Sequence, residues 1–171
     1  MAENNIIEKK HRLPEKEYKG MKRISFTVCV KDRKKVFTDA GTVKKYSDAL
    51  ADITEKNSVR NWIYVFMPDH LHVMLEGMSC NSDSRKALIK FKQKTSVMYG
   101  KIWQKDFYDR ILREDENIYH HLLYIANNPV RKGLCGKFEN YYGLGSLDFD
   151  IKEIIKNLKA CELSGKGNKT G

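Results

Sequence analysis

Residues 61–77, NWIYVFMPDHLHVMLEG, leave the backbone few choices. Two runs of apolar, β-branched and aromatic residues, WIYVF and LHVML, flank Met-Pro-Asp, and proline at the second position of a four-residue turn presets the φ that the turn needs. The stretch reads as a β-hairpin. His70 and His72 fall just past its turn, and side chains two apart on a strand share a face, with Cα atoms roughly 6 to 7 Å apart. Their imidazoles can converge on one metal ion. By itself His-x-His is a weak signal, because a strand histidine is more often a surface residue or a hydrogen-bonded core residue.

A second stretch strengthens it. In residues 117–128, NIYHHLLYIANN, Ile118, Leu122 and Ile125 recur at i, i+4, i+7 and define the buried stripe of a helix. Beside that stripe Asn117, His121, Tyr124 and Asn128 line up an amide, an imidazole, a phenol and an amide. A solvated face could carry such a row, but exposed helix faces more often hold Lys and Glu.

The chain has 171 residues, 41% hydrophobic and 11% aromatic, which suits one domain with its own core and excludes a wholly disordered chain. Thirty-two Lys and Arg against 22 Asp and Glu give a net charge of +10. That excess favours a polyanionic partner, nucleic acid before a membrane surface. The four cysteines, Cys29, Cys80, Cys135 and Cys161, form no Cys-x-x-Cys pair, so a zinc knuckle and a thioredoxin-type motif are excluded and reduced thiols are expected. No run approaches the ~18 apolar residues of a membrane span, and the first twenty residues lack the apolar core of a signal peptide. A soluble cytoplasmic protein is expected.

In chain order, residues 1–20 are charged, broken by Pro14 and without period, and are expected to form a flexible arm. Residues 21–30 alternate Ile24, Phe26, Val28 and Val30 with Arg23, Ser25, Thr27 and Cys29, the pattern of a strand with one buried face. Asp39 caps a helix with Val43, Tyr46, Leu50 and Ile53 inward, ending near Asn57. After the hairpin, the run NSDS starts a helix with Ala87, Leu88, Phe91, Thr95 and Met98 inward, and Gly100 stops it. Lys86, Lys90 and Lys94 form a like-charged row on that helix, costly unless something anionic lies against it. A phosphate backbone would serve, although a solvated basic face explains the row as well.

Residues 101–115 interleave Trp103, Phe107 and Tyr108 with Lys101, Lys105, Arg110 and Arg113, which fits bases stacked on rings and phosphates against cations. Core packing is the better reading for Trp103. A last strand is expected near 106–112, a helix end at Asn128-Pro129, a loop at Gly143 and Gly145, and a final helix with Ile151, Ile154, Ile155 and Leu158 inward. The domain is taken as 21–160, with a disordered tail at 161–171. The order strand, helix, strand, strand, helix, strand is that of an α+β, ferredoxin-like antiparallel sheet with helices on one face, plus additional C-terminal helices.

The segments MPDHLHVMLEG, RILREDENIYHHLLYIANNPVRKGL and KKVFTDA resemble the single-tyrosine HUH transposases, most closely the REP-associated tyrosine transposases, over residues 21–147. Met-Pro-Asp-His-x-His joined to a downstream Tyr-Ile-x-x-Asn-Pro-Val is fairly specific; either half alone is not. The resemblance implies a metal-dependent endonuclease and strand transferase acting on single-stranded DNA that carries a hairpin or palindrome. It makes Tyr124 the nucleophile of a covalent 5′-phosphotyrosine, and His70, His72 and Asn128 the ligands of a magnesium or manganese ion. Imidazole ligands in general favour zinc, manganese, nickel or copper over magnesium. His121 is a candidate to orient Tyr124 or bind phosphate, and Tyr119 ranks far behind as nucleophile. Lys86, Lys90, Lys94, Arg110, Arg113, Arg131 and Lys132 are the candidate DNA contacts. The resemblance further implies a prokaryotic, nucleoid-associated protein; insertion-sequence relatives are homodimers, whereas REP-associated ones need not be. The rival reading is a non-catalytic nucleic-acid-binding module derived from such a transposase.

Overall fold

A computed structural model describes residues 13–166. Strand β1 (Arg23–Cys29) is followed by helix α1 (Ala40–Lys56), the hairpin strands β2 (Val59–Met67) and β3 (His70–Gly77), helix α2 (Ser84–Tyr99), strand β4 (Tyr108–Leu112), helices α3 (Ile118–Ala126) and α4 (Asn128–Arg131), the short strand β5 (Leu144–Gly145) and helix α5 (Ile151–Lys166). The sheet runs β4-β1-β3-β2-β5 and all its pairings are antiparallel. The α+β, ferredoxin-like arrangement expected from the element order is the one observed. Asp39 and Asp83 cap α1 and α2, accepting from the Thr42 and Lys86 amides at 2.8 Å.

Alternation along the strands sorts the residues onto two cores. On one face Ile24, Phe26, Val28, Leu71, Val73 and Leu75 meet α1 and α2. On the other, Ile63, Val65, Met67, Met74 and Leu112 meet Leu122 and Ile125 of α3 and Ile154 and Leu158 of α5. The added C-terminal helices thus cover the face that α1 and α2 leave open. At the β2 bulge Trp62 is the extra residue between Asn61 and Ile63 in the pairing with β3. The buried Asn61 amide donates to the carbonyls of Ile63 and Met74, satisfying groups that the bulge withdraws from the ladder.

The structure corrects several boundaries. Residues 13–20 are not a loose arm: Tyr18 is buried, stacks on Phe26 and donates to Asp109 Oδ2 at 2.7 Å. The rest of that arm, 1–12, lies outside the described residues. The expected tail starts too early, because the apolar stripe of α5 continues from Leu158 to Cys161, 9% exposed, and the helix runs to Lys166. Residues 167–171 lie outside the described residues. Met98 is 51% exposed rather than inward. The inward stripe of α2 closes at Thr95, whose hydroxyl accepts from Trp103 Nε1 at 2.8 Å. The loop at Gly143 and Gly145 contains β5, paired with Tyr64 and Val65. The four cysteines are free thiols. Among the described residues no helix is long and apolar enough to cross a membrane.

Candidate active site

The hairpin turn is Pro68-Asp69, and the chain segment after β1 fastens it from outside. The amides of Val36 and Phe37 donate to the Pro68 carbonyl at 2.8 and 3.1 Å, and Val30 donates to the Asp69 carbonyl at 2.9 Å. His70 and His72 leave this turn on the α3 side of the sheet, with Nε2 atoms 3.0 Å apart and ring planes 85° from parallel. Each ring is also held by its other nitrogen. His70 Nδ1 meets Asp69 Oδ1 at 2.5 Å, and His72 Nδ1 meets Thr27 Oγ1 at 3.0 Å. The register makes the second contact, since Thr27 pairs directly with His72.

The surroundings of both imidazoles favour the neutral form. Burial pushes the His70 pKa down, against the pull of Asp69, and burial followed by the charges of His70 and Arg131 pushes His72 down to about 3. Burial works against the Asp69 carboxylate, but its contacts with His70 and Arg33 keep its pKa below the usual value. An ionised carboxylate only accepts, so His70 carries its proton on Nδ1 and turns a lone pair outward at Nε2. His72 has two tautomers open to it. With its proton on Nε2 it donates to His70; with the proton on Nδ1 it donates to Thr27 and offers a second lone pair. Two nitrogens 3.0 Å apart suit one ion at right-angled bonds of ~2.1 Å.

The third expected ligand is differently placed. The α3 helix ends at Ala126, two residues before the expected stop, and Asn128 opens α4 with Pro129 behind it. Proline has no N–H for the Ile125 carbonyl, and Asn128 Nδ2 supplies one instead at 3.0 Å. Its Oδ1 accepts from Arg131 Nη2 at 2.9 Å. Among the described residues no three His, Cys, Asp or Glu side chains gather as a metal site. The chemistry of the two imidazoles fits an ion, whereas the Asn128 oxygen is committed to Arg131.

Tyr124 is 59% exposed, with the Arg131 guanidinium carbon 4.1 Å from its ring centroid. His121 lies on the same side of α3, rings 6.5 Å apart, but both of its nitrogens are engaged. Arg110 Nη1 approaches Nδ1 at 3.2 Å and can only donate, so the proton sits on Nε2, which donates to Ser25 Oγ at 2.5 Å. Burial and the Arg110 charge push its pKa down. A cavity of about 370 Å³ opens here, lined by Arg110, Glu116, Asn117, His120, His121 and Tyr124. Asn117 caps α3 by accepting from the Tyr119 and His120 amides. Tyr119 turns to α5, where its hydroxyl meets Asn157 at 3.5 Å.

Residues 21–125 match the family described as Transposase IS200 like. The chain belongs to that family. A Haemophilus influenzae protein named as a REP-associated tyrosine transposase is 25% identical over 126 residues, covering 63% of this chain and 70% of the relative. The fold matches a solved structure described as a REP-associated tyrosine transposase bound to a REP hairpin, with a TM-score of 0.68 and 20% identity over 84% of this chain and 82% of the other.

In this IS200-like transposase the candidate DNA contacts fall on two faces. Arg110 lines the cavity beside His121 and Tyr124, held by Glu116 at 2.9 and 3.1 Å, while the Arg131 and Lys132 charges are felt at His72 and His70. Arg113 shares an adjoining cavity with Arg110 and Glu116. The lysine row belongs to α2, behind the sheet. Lys90 donates to Asn57 Oδ1 at 2.7 Å and Lys94 to Asp52 at 2.5 Å, both on the α1 side, so the protein itself supplies the row's polar and anionic neighbours. The residues that sequence reasoning missed are Ser25, Thr27 and Asp69. Ser25 and Thr27 stand on the polar side of the β1 alternation, and only the pairing register shows that this side faces a site.

Proposed function

We propose that this transposase nicks and rejoins single-stranded DNA through Tyr124, using a divalent ion, magnesium or manganese, held by His70, His72 and the Asn128 oxygen. The observation that carries the reading is the histidine pair, anchored through both Nδ1 atoms with Nε2 atoms 3.0 Å apart. Arrangements of this kind make good ligands, since an anchored Nδ1 fixes ring direction and tautomer. The ion would neutralise a nonbridging phosphate oxygen and so make the phosphorus easier to attack. With an ion bound, His70 would keep its proton on Nδ1 toward Asp69 and His72 would keep its own on Nδ1 toward Thr27, leaving both Nε2 lone pairs to the ion.

The exposed Tyr124 phenol then attacks in line. Its oxygen bonds to phosphorus, its proton passes to solvent, and the bond from phosphorus to the 3′ oxygen breaks, leaving a 3′-hydroxyl once protonated. The phosphotyrosine conserves the bond energy, and a DNA hydroxyl reverses the step to reseal a strand. The REP hairpin bound by the similar solved structure makes hairpin-bearing DNA the substrate class to try first. End-labelled single-stranded DNA with such a hairpin, incubated with Mn²⁺, should yield label that migrates with the protein on a denaturing gel. Tyr124→Phe should abolish this adduct and keep DNA binding, whereas Tyr119→Phe should keep it. An adduct that survives Tyr124→Phe would assign the nucleophile elsewhere. The hold of Arg131 on Asn128 Oδ1 favours the rival reading, a binding module without cleavage, and that reading gains if the wild type forms no adduct with any hairpin substrate.

A further inference from the structure

Arg131 reaches three groups of the site. Its guanidinium lies 4.1 Å over the Tyr124 ring, its Nη2 donates to Asn128 Oδ1 at 2.9 Å, and its charge contributes to the depression at His72. Asn128 cannot swing away, because its amide nitrogen is tied to the Ile125 and Tyr124 carbonyls at 3.0 and 3.3 Å. The oxygen that the metal reading needs is thus fixed in direction and shared with a cation. We propose that Arg131 is a positioning residue with two seats: it covers Tyr124 and occupies Asn128 Oδ1 in the free protein, and a DNA phosphate draws it off that oxygen, releasing the amide to the ion.

The chemistry favours the exchange. A guanidinium bound to a neutral amide oxygen gains a charge-assisted bond from one side only, whereas a phosphate offers two anionic oxygens to its planar fork. Leaving Asn128 removes a competitor for the oxygen, and the phosphate neutralises the positive charge that opposes a cation at the histidines. Ion and DNA therefore strengthen each other's binding, and by reciprocity each does so by the same factor. Free protein would hold the ion weakly and keep the Tyr124 face covered, so that the site is completed only by substrate.

This inference rests on the metal reading above, and the test separates the two. Mn²⁺ binding is followed by electron paramagnetic resonance on the full chain carrying Tyr124→Phe, with and without a hairpin-bearing single-stranded oligonucleotide. The oligonucleotide should raise Mn²⁺ affinity by about fivefold or more. Adding Arg131→Met should raise the DNA-free affinity and flatten that response, and the gain should shrink when Asn128 is also replaced by Ala. In the chain that keeps Tyr124, Arg131→Met should lower adduct yield. A residue that merely supported the fold would lose ion binding and adduct together. Mn²⁺ binding that DNA leaves unchanged overturns the inference, as does Arg131→Met binding Mn²⁺ no better while retaining the far-ultraviolet circular dichroism of the parent. Should Arg131→Met fail to fold, Arg131→Ala is read in the same way. No Mn²⁺ binding in any form sinks the metal reading, and this inference with it.

Discussion

At the scale of single residues the decisive side chain beside the histidines is Thr27. Its hydroxyl can both give and take a hydrogen bond at His72 Nδ1, and so it permits the tautomer that an ion requires. Thr27→Val keeps the shape and removes that ability. Mn²⁺ affinity should fall by about 10- to 100-fold while melting temperature changes little, as titration by electron paramagnetic resonance would show. The same burial predicts a pH effect. His72 is depressed to about 3 in the folded chain against an ordinary value of 6.5, so the unfolded state binds more protons between these limits. Stability should therefore fall as the pH drops from about 6.5 toward 3. His72→Gln should flatten that acid limb in melts run with chelator present. The histidines themselves were legible from Met-Pro-Asp-His-x-His, because spacing on a strand fixes facing. Thr27 was not, since nothing in the local sequence of β1 says which residue of β3 it will oppose.

At the scale of elements the break between α3 and α4 is a compensated defect. Pro129 withholds a backbone donor from Ile125 and Asn128 restores it from the side chain. Asn128→Ala should cost about 1–3 kcal/mol through the buried carbonyl it orphans. Adding Pro129→Ala, which returns a backbone N–H, should recover much of that loss without recovering any part of Asn128 in ion binding. Urea melts of the two single variants and the double would show it; additive losses would refute the compensation. At the other end of the hairpin, a Cβ on Gly77 would stand 2.0 Å from the Gly20 carbonyl oxygen and 2.9 Å from Ser82 Cβ. Gly77→Ala should lower stability by roughly 1–3 kcal/mol, as overpacking does. The helix caps and apolar stripes were readable because they are local. The helical turn after Asn127 was not, because a proline usually ends a helix and only the amide beneath it lets the chain go on turning.

At the scale of the molecule the sheet is a wall between two cores, and the charge excess of the sequence is divided by it. The helix order was legible, but which face receives α3 depends on long-range packing of Leu122 and Ile125 against Val65 and Met67. The lysine row therefore could not be assigned from its period alone. Replacing Lys86, Lys90 and Lys94 by Gln should leave the salt dependence of single-strand binding unchanged. Arg113→Gln with Lys132→Gln should reduce the log-log slope by about 0.7 for each phosphate that is no longer neutralised. Fluorescence anisotropy across a salt series distinguishes the two faces. One further consequence follows from the way the 36–37 segment and Val30 fasten the Pro68-Asp69 turn. Chain entropy that a flexible loop would surrender on meeting an ion has here already been spent in folding. Ion uptake should then proceed with a small heat-capacity change and near-identical backbone amide exchange in the hairpin before and after, so that affinity is set by the donors rather than by ordering.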